Sequence, residues 1–251
     1  MLDISPNGTN RTLMLGNKLS VLGGDFLLAK ASIKLARIQN THAVEMISKA
    51  IGHLSEGAAM EDSLTSLTSM EDVENLVFHT KGSLLAHSCY SAAKVVGHTD
   101  VVSVFSIHRS QTTLLNLLKV FVCSVLQVCQ QAFNFGRNLS LVQQCAEDIE
   151  EYQNNKTILS KKNFVVVYSL SKSNELRKQF HNLFAQASAP SLETTKQVKD
   201  SIRHFNPDIL AQVKRHCDQH YVTKCRENIQ QFPVESSVEA INDILSTIRP
   251  V

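Results

Sequence analysis

The acidic run Glu147-Asp148-Ile149-Glu150-Glu151 is the most suggestive chemistry in this 251-residue chain. On a helix, Glu147 and Glu151 stand one turn apart with Asp148 beside them. Leu139, Val142, Ala146 and Ile149 mark the face that such a helix would bury. Three carboxylates would then project from a neighbouring face. Mg²⁺ is a hard cation that takes one or two carboxylates and completes its shell with water and substrate phosphates. The competing reading is a solvated acidic face, the common fate of an isolated acidic run. Like charges at i,i+4 repel mildly, which makes the run slightly unexpected as mere surface.

Lysines supply the complementary chemistry. Lys81 falls mid-helix between Val77 and Leu85. A lysine beside a bundle core can hold a phosphate, although most simply snorkel to water. Lys18 and Asp25 lie on the flank of the first helix. His216, Cys217, His220 and Cys225 have zinc-ligand chemistry, but their spacing matches no common finger, and an exposed polar helix face is the favoured reading. The chain has no G-x-S-x-G, P-loop or H-E-x-x-H motif, so serine hydrolase, P-loop NTPase and zincin chemistry have no support.

The elements that must position these groups are helical. From Gly16, the residues Leu19, Leu22, Phe26, Ala29, Ile33 and Ala36 recur at helical spacing. Gly23 and Gly24 inside this helix predict close packing or a close approach of backbone to ligand, since glycine otherwise costs about 1 kcal/mol there. Val44, Ile47, Ile51 and Leu54 predict a second helix. Residues 57–71 read as a loop. Val73, Val77, Leu84, Ser88 and Ala92 predict a third helix with one apolar side. The run from Leu114 to Val128 is shorter than the ~20 apolar residues of a membrane span and contains Lys119, so it predicts a buried helix. Further helices are expected at 132–153, 192–205, 207–227 and 236–249. Asn206 and Pro207 read as N-cap and first helical residue, and Ser236 with Glu239 as a capping box. Residues 164–170 (FVVVYSL) form the one strand-like run, which periodicity alone does not separate from a buried helix.

Composition bounds the function. A hydrophobic content of 43% excludes a disordered chain, and a net charge of +2 argues against a protein built to bind nucleic acid or an anionic membrane. Aromatic content of 6% without tryptophan favours helices over a β-sandwich. Six cysteines without a C-x-x-C pair read as reduced thiols. The sum is an all-α, single-domain chain over 1–251, with 1–15 as loop or disordered.

Five segments carry a family resemblance. GNKLSVLGGDFLLAKASIKLA (16–36) is similar to the G-N-K-L-A-V-L-A-G-D-F-L-L-A-R-A segment of the trans-isoprenyl diphosphate synthases, or polyprenyl synthetases. HTKGSLLAHSC (79–89) resembles that family's K-T-A-x-L segment. AFNFGRNLSLVQQCAEDIEEY (132–152) resembles its second aspartate-rich motif. NFVVVYSL and QQFPVESSVEAINDIL look most like the divergent second subunit of the decaprenyl-type synthases. Together these cover most of 14–102 and 131–251. The resemblance implies an antiparallel helical bundle around a cavity. Two aspartate-rich motifs there hold Mg²⁺ about an allylic diphosphate, whose carbocation is attacked by isopentenyl diphosphate.

The departures from that pattern shape the functional expectation. The first aspartate-rich motif should precede Gly16, and its absence reads as an N-terminal truncation. The second motif has Glu147, Asp148 and Glu151 in place of three aspartates. Lys81 matches the diphosphate-binding lysine, followed by Gly82 where the family has threonine. Ala58 and Ala59 stand where an acid is expected, the K-P-x-G-x-D-L segment is absent, and 104–129 reads as an unmatched insertion. The resemblance therefore implies a non-catalytic or regulatory subunit of a heteromeric synthase, a heterotetramer that makes the ubiquinone side chain. No residue is catalytic, Lys18 and Lys81 are vestigial diphosphate ligands, and Glu147, Asp148 and Glu151 form a degenerate metal motif. The implied partner is the catalytic subunit 1, with allylic and isopentenyl diphosphates and Mg²⁺ bound in the complex. A self-sufficient prenyltransferase with a divergent metal site, and an inactive isoform or scaffold, are the alternatives. The resemblance implies a mitochondrial location, although the N-terminal residues lack transit-peptide character.

Overall fold

All regular structure among the described residues is helical. The computed structural model describes residues 8–63, 68–105, 111–186, 191–230, 232 and 235–250, with side chains for 13–61, 68–95, 126–181, 191–230, 232 and 238–250. Eleven α-helices occur among them. They are α1 (Gly8–Arg37), α2 (Thr41–Ser63), α3 (Met70–Val77), α4 (Ser83–Phe105), α5 (Gln111–Gln153), α6 (Phe164–Lys172), α7 (Asn174–Gln186), α8 (Leu192–Phe205), α9 (Ile209–Cys217), α10 (Thr223–Ile229) and α11 (Glu235–Ile248). Two five-residue π turns, Phe78–Gly82 and Asp218–Val222, join α3 to α4 and α9 to α10. The backbone divides into two compact units, Met1–Glu45 and Met46–Val251.

In the first unit α1 already begins at Gly8, inside the stretch expected to be loop. Leu19, Leu22, Phe26 and Ile33 share one side of it, and each is at least half exposed. Gly23 and Gly24 do not serve close packing: a Cβ on either would meet nothing within 4 Å. After α1, Gln39 takes a left-handed backbone (φ 53°), and Asn40 Oδ1 accepts from the Ala43 N–H at 3.0 Å, which starts α2.

The second unit is organised on the C-terminal half of α5. Val142, Cys145, Ile149 and Tyr152 form its buried stripe. α4 lies so close that a Cβ on Gly136 would stand 2.8 Å from Ala86 Cα. α6 packs against α3, α5, α7 and α9. Its residues Phe164–Val167 are all buried, so the strand-like run is a helix whose apolar residues are covered on every side. Asn163 caps it, with its side chain accepting from the Val165 N–H. Phe180, Ile202, Val213, Ile229 and Leu245 complete the core from the later helices.

Three local expectations change. α2 continues to Ser63, so 57–63 are helical rather than loop; Ala58, Ala59 and Met60 are good helix formers. Asn206 ends α8 rather than starting the next helix, which begins after Asp208. Ser236 lies inside α11, not ahead of it. The third helix is also interrupted. The π turn at 78–82 inserts one extra residue and rotates the following helix, so Ser83, Ala86 and His87 are buried while Leu84 is exposed. The backbone of 111–129 forms the N-terminal part of α5, and the side chains of 111–125 lie outside the described residues. No helix among the described residues is long and apolar enough to cross a membrane.

Candidate functional site

The acidic turn of α5 faces the first π turn and the start of α6. Gly82 lets the π turn press onto α5, since a Cβ there would meet Ser140 Oγ at 2.5 Å. That contact sets Lys81 beside Glu147, and the ammonium of Lys81 pairs with Glu147 Oε2. Gln143 Nε2 donates to the other oxygen at 3.3 Å. Both partners of the ion pair are nearly half exposed, so the pair is screened and weak.

Asp148 is different in kind. It is 5% exposed, and both carboxylate oxygens accept hydrogen bonds, from the Phe164 N–H at 2.7 Å and from Gln144 Nε2 at 2.8 Å. The Phe164 N–H is one of the orphan donors at the start of α6, and a carboxylate there also suits the helix dipole. Burial pushes the Asp148 carboxyl up to about 6, against the pull of those two hydrogen bonds. Glu151 accepts from Asn163 Nδ2 at 3.0 Å, and the same amide donates to the Asp148 carbonyl at 2.9 Å. Asn163 thus ties one turn of α5 to the start of α6 on three sides. Sequence reasoning passed over it, although an asparagine directly before an apolar run is a capping signal.

A cation also closes the end of α5. Lys199, buried on α8, donates to the Asn154 carbonyl at 2.7 Å. Its ammonium lies over the Tyr152 ring, 5.7 Å from the centroid. Burial pulls its pKa down.

The three carboxylates and Lys81 are therefore gathered, but each is already engaged. Lys18 is exposed on α1, in the other unit. Mg²⁺ does not fit the acidic turn as it stands. It would compete with Phe164 N–H and Gln144 at Asp148, with Asn163 at one oxygen of Glu151 and with Lys81 at Glu147. Octahedral Mg²⁺ sheds water reluctantly and gains little from oxygens already bonded.

The His216, Cys217, His220 and Cys225 set does not form a zinc centre among the described residues. His216 and His220 stack at 4.3 Å between centroids. Both Cys145 and Cys217 are free, and hydrogen bonding with the Cys217 thiol, together with burial, raises the Cys145 pKa strongly. The Cys225 thiol points to the Phe135 carbonyl at 3.9 Å and is pushed up to about 12 by burial. The two cysteines are buried, so the expected exposed polar face holds only in part. Earlier along α5 lies a polar cleft of about 250 Å³, with Arg137, Asn138, Lys224 and Glu227 among its walls. There Tyr221 Oη donates to Glu74 at 2.6 Å.

Residues 9–202 match the family model for polyprenyl synthetase. The chain belongs to the polyprenyl synthetase family. Among its relatives, solanesyl-diphosphate synthase 1, mitochondrial, of Oryza sativa is 31% identical over 59% of this chain and 29% of its own length. Human all trans-polyprenyl-diphosphate synthase PDSS2 is 26% identical over 61% of this chain and 33% of its own length. The match thus spans about a third or less of these curated relatives. A crystal structure of a decaprenyl diphosphate synthase from Rhodobacter capsulatus superposes with a TM-score of 0.68 at 14% identity, covering 97% of this chain and 69% of that one. That likeness places this polyprenyl synthetase in the all-α isoprenoid synthase fold, as the sequence resemblance implies.

Proposed function

We propose that this polyprenyl synthetase is a non-catalytic partner subunit of a heteromeric trans-polyprenyl diphosphate synthase serving ubiquinone side-chain synthesis in mitochondria. One observation carries the reading: Glu147, Asp148 and Glu151 are all engaged inside the fold. Asp148 caps α6, Asn163 holds Glu151, and Lys81 neutralises Glu147. Carboxylates already paired within the fold bind a metal-bridged diphosphate less readily than free ones. The framework of the family is kept while its metal grip is converted to structure. In this role a catalytic subunit supplies the Mg²⁺ and binds the allylic and isopentenyl diphosphates. Relatives with mitochondrial names support the compartment.

Co-expression with a catalytic polyprenyl diphosphate synthase subunit tests this. The two chains are expected to co-purify, and the complex to extend an allylic diphosphate with isopentenyl diphosphate and Mg²⁺. The chain alone is expected to yield no product. Long-chain product from the isolated chain would overturn the proposal in favour of a self-sufficient enzyme.

A further inference from the structure

A second set of ligand-type side chains lies where α2 crosses the first π turn. At Gly57 the two backbones approach so closely that a Cβ would stand 2.9 Å from Thr80 Cγ2 and 3.0 Å from His79 Cβ. That approach gathers His53 and Glu56, one turn apart on α2, with His79 of the π turn. One ring nitrogen of each histidine and one Glu56 oxygen lie within 4.8 Å of one another. His79 Nε2 is 3.6 Å from Glu56 Oε2.

Each imidazole also has a hydrogen-bond partner outside the cluster, as metal-binding imidazoles usually do. His79 Nδ1 donates to the Asn75 carbonyl at 2.8 Å, which leaves Nε2 as the ring nitrogen on the Glu56 side. His53 Nδ1 lies 2.6 Å from Ser83 Oγ. Ser83 is in turn 3.1 Å from His87 Nδ1, whose ring packs edge-on against Phe133. The two imidazoles are thus oriented by partners outside the cluster, while Glu56 is 63% exposed and free to swing.

We propose that His53, Glu56 and His79 bind a Zn²⁺ ion, with the fourth position left to water. Two imidazoles and one carboxylate are a zinc-type donor set, whereas Mg²⁺ prefers oxygen throughout. Tetrahedral Zn²⁺ with bonds of about 2.0–2.1 Å sets its ligand atoms roughly 3.3 Å apart. The 3.6 Å between His79 and Glu56 is close to that, and the other pairs, within 4.8 Å, must close by rotation of the His53 and Glu56 side chains. The ion would pin α2 to the turn that presents Lys81. This site is separate from the acidic turn and does not depend on the subunit role proposed above.

The test uses the untagged full chain, stripped with chelator and titrated with Co²⁺ and then Zn²⁺. One equivalent of Co²⁺ should give the visible absorption of a four-coordinate site, and Zn²⁺ should abolish it. His79→Gln should weaken binding by more than about 100-fold, since it removes a ligand outright. Glu56→Gln should weaken it by about 10-fold or more. Glu56 is exposed, so this variant keeps the fold even where a histidine variant does not, and circular dichroism verifies it. His216→Gln and His220→Gln should leave binding unchanged. Absence of stoichiometric binding overturns the site. So does binding that survives both His79→Gln and Glu56→Gln, or binding lost with His216→Gln.

Discussion

The acidic turn of α5 and the cluster between α2 and the π turn look alike as residue lists and differ in what their lone pairs do. At the acidic turn, oxygens of Glu147, Asp148 and Glu151 accept from Lys81, Phe164, Gln144 and Asn163. At the cluster, each histidine has a partner outside the set, and the three ligand atoms lie within 4.8 Å of one another. Ligand chemistry is a property of free electron pairs in a held geometry, not of residue type. A motif keeps its letters, or near ones, while its atoms are taken over by capping and ion pairing. Conversely, a site needs no motif where a close helix crossing brings donors from distant segments together.

The strongest challenge to this contrast is removal of the Asp148 carboxylate. Asp148→Ala leaves the buried Phe164 N–H and Gln144 unpaired and is expected to destabilise the fold by about 3 kcal/mol in urea denaturation. Asp148→Asn keeps an acceptor and should cost less than about 1 kcal/mol at pH 7. Unchanged stability in Asp148→Ala would return this residue to the pool of free metal ligands.

pH sharpens the same point with a defined sign. The Asp148 carboxyl titrates at about 6 in the fold, against an ordinary value of 3.8. Between those values the folded chain holds more protons than the unfolded chain, so this group favours folding increasingly as pH falls from 6 to about 4. The gain is complete below the ordinary value and absent above the folded one. It amounts to about 2–3 kcal/mol. The stability of the wild type relative to Asp148→Asn should therefore rise by that amount between pH 7 and pH 4. A difference that stays flat over this range would mean that Asp148 is not desolvated.

Asn163→Ala comes next. It removes the α6 cap and the two bonds to α5, and about 2 kcal/mol of stability should go with them. Loss of Asn163 also releases Glu151. If Mg²⁺ then raised the melting temperature of the variant but not of the wild type, the acidic turn would be a blocked site rather than a dismantled one.

How much of this was legible beforehand varies with the range of the cause. The acidic run, its placement on a helix and the buried stripe through Val142 and Ile149 follow from helical spacing. Lys81 follows from its place mid-helix between Val77 and Leu85, and its match to a diphosphate lysine from the resemblance. The partners that disarm the carboxylates did not, because Phe164 and Asn163 reach back across a loop that periodicity does not fold. FVVVYSL stays ambiguous between strand and helix for the same reason that it is buried: apolar on nearly all sides, it shows no helical face. The π turn has no sequence signature, yet it decides that Ser83 rather than Leu84 points inward. His53 and Glu56 show as an i,i+3 pair, but His79 joins them only because Gly57 lets two helical segments touch.

The smallest predicted effect bears most directly on mechanism. Lys81→Gln removes an exposed ion-pair partner, which is worth roughly 0–1 kcal/mol, so the melting curve should scarcely move. What does change is Glu147, whose carboxylate loses its counter-charge. If Lys81 were the lock on a working metal site, this substitution would open it. Calorimetric titration with Mg²⁺ and inorganic diphosphate would then report binding that the wild type lacks. If the site is disarmed at Asp148 and Glu151 instead, freeing one oxygen pair out of three is not enough, because Mg²⁺ must still compete with the partners of Asp148 and Glu151 for a second ligand. The expectation is no binding in either protein. Only the double variant Lys81→Gln with Asn163→Ala, which frees Glu147 and Glu151 together, should begin to recover affinity. Recovery in the single variant would place the whole inhibition in one exposed salt bridge and overturn the contrast with the histidine cluster.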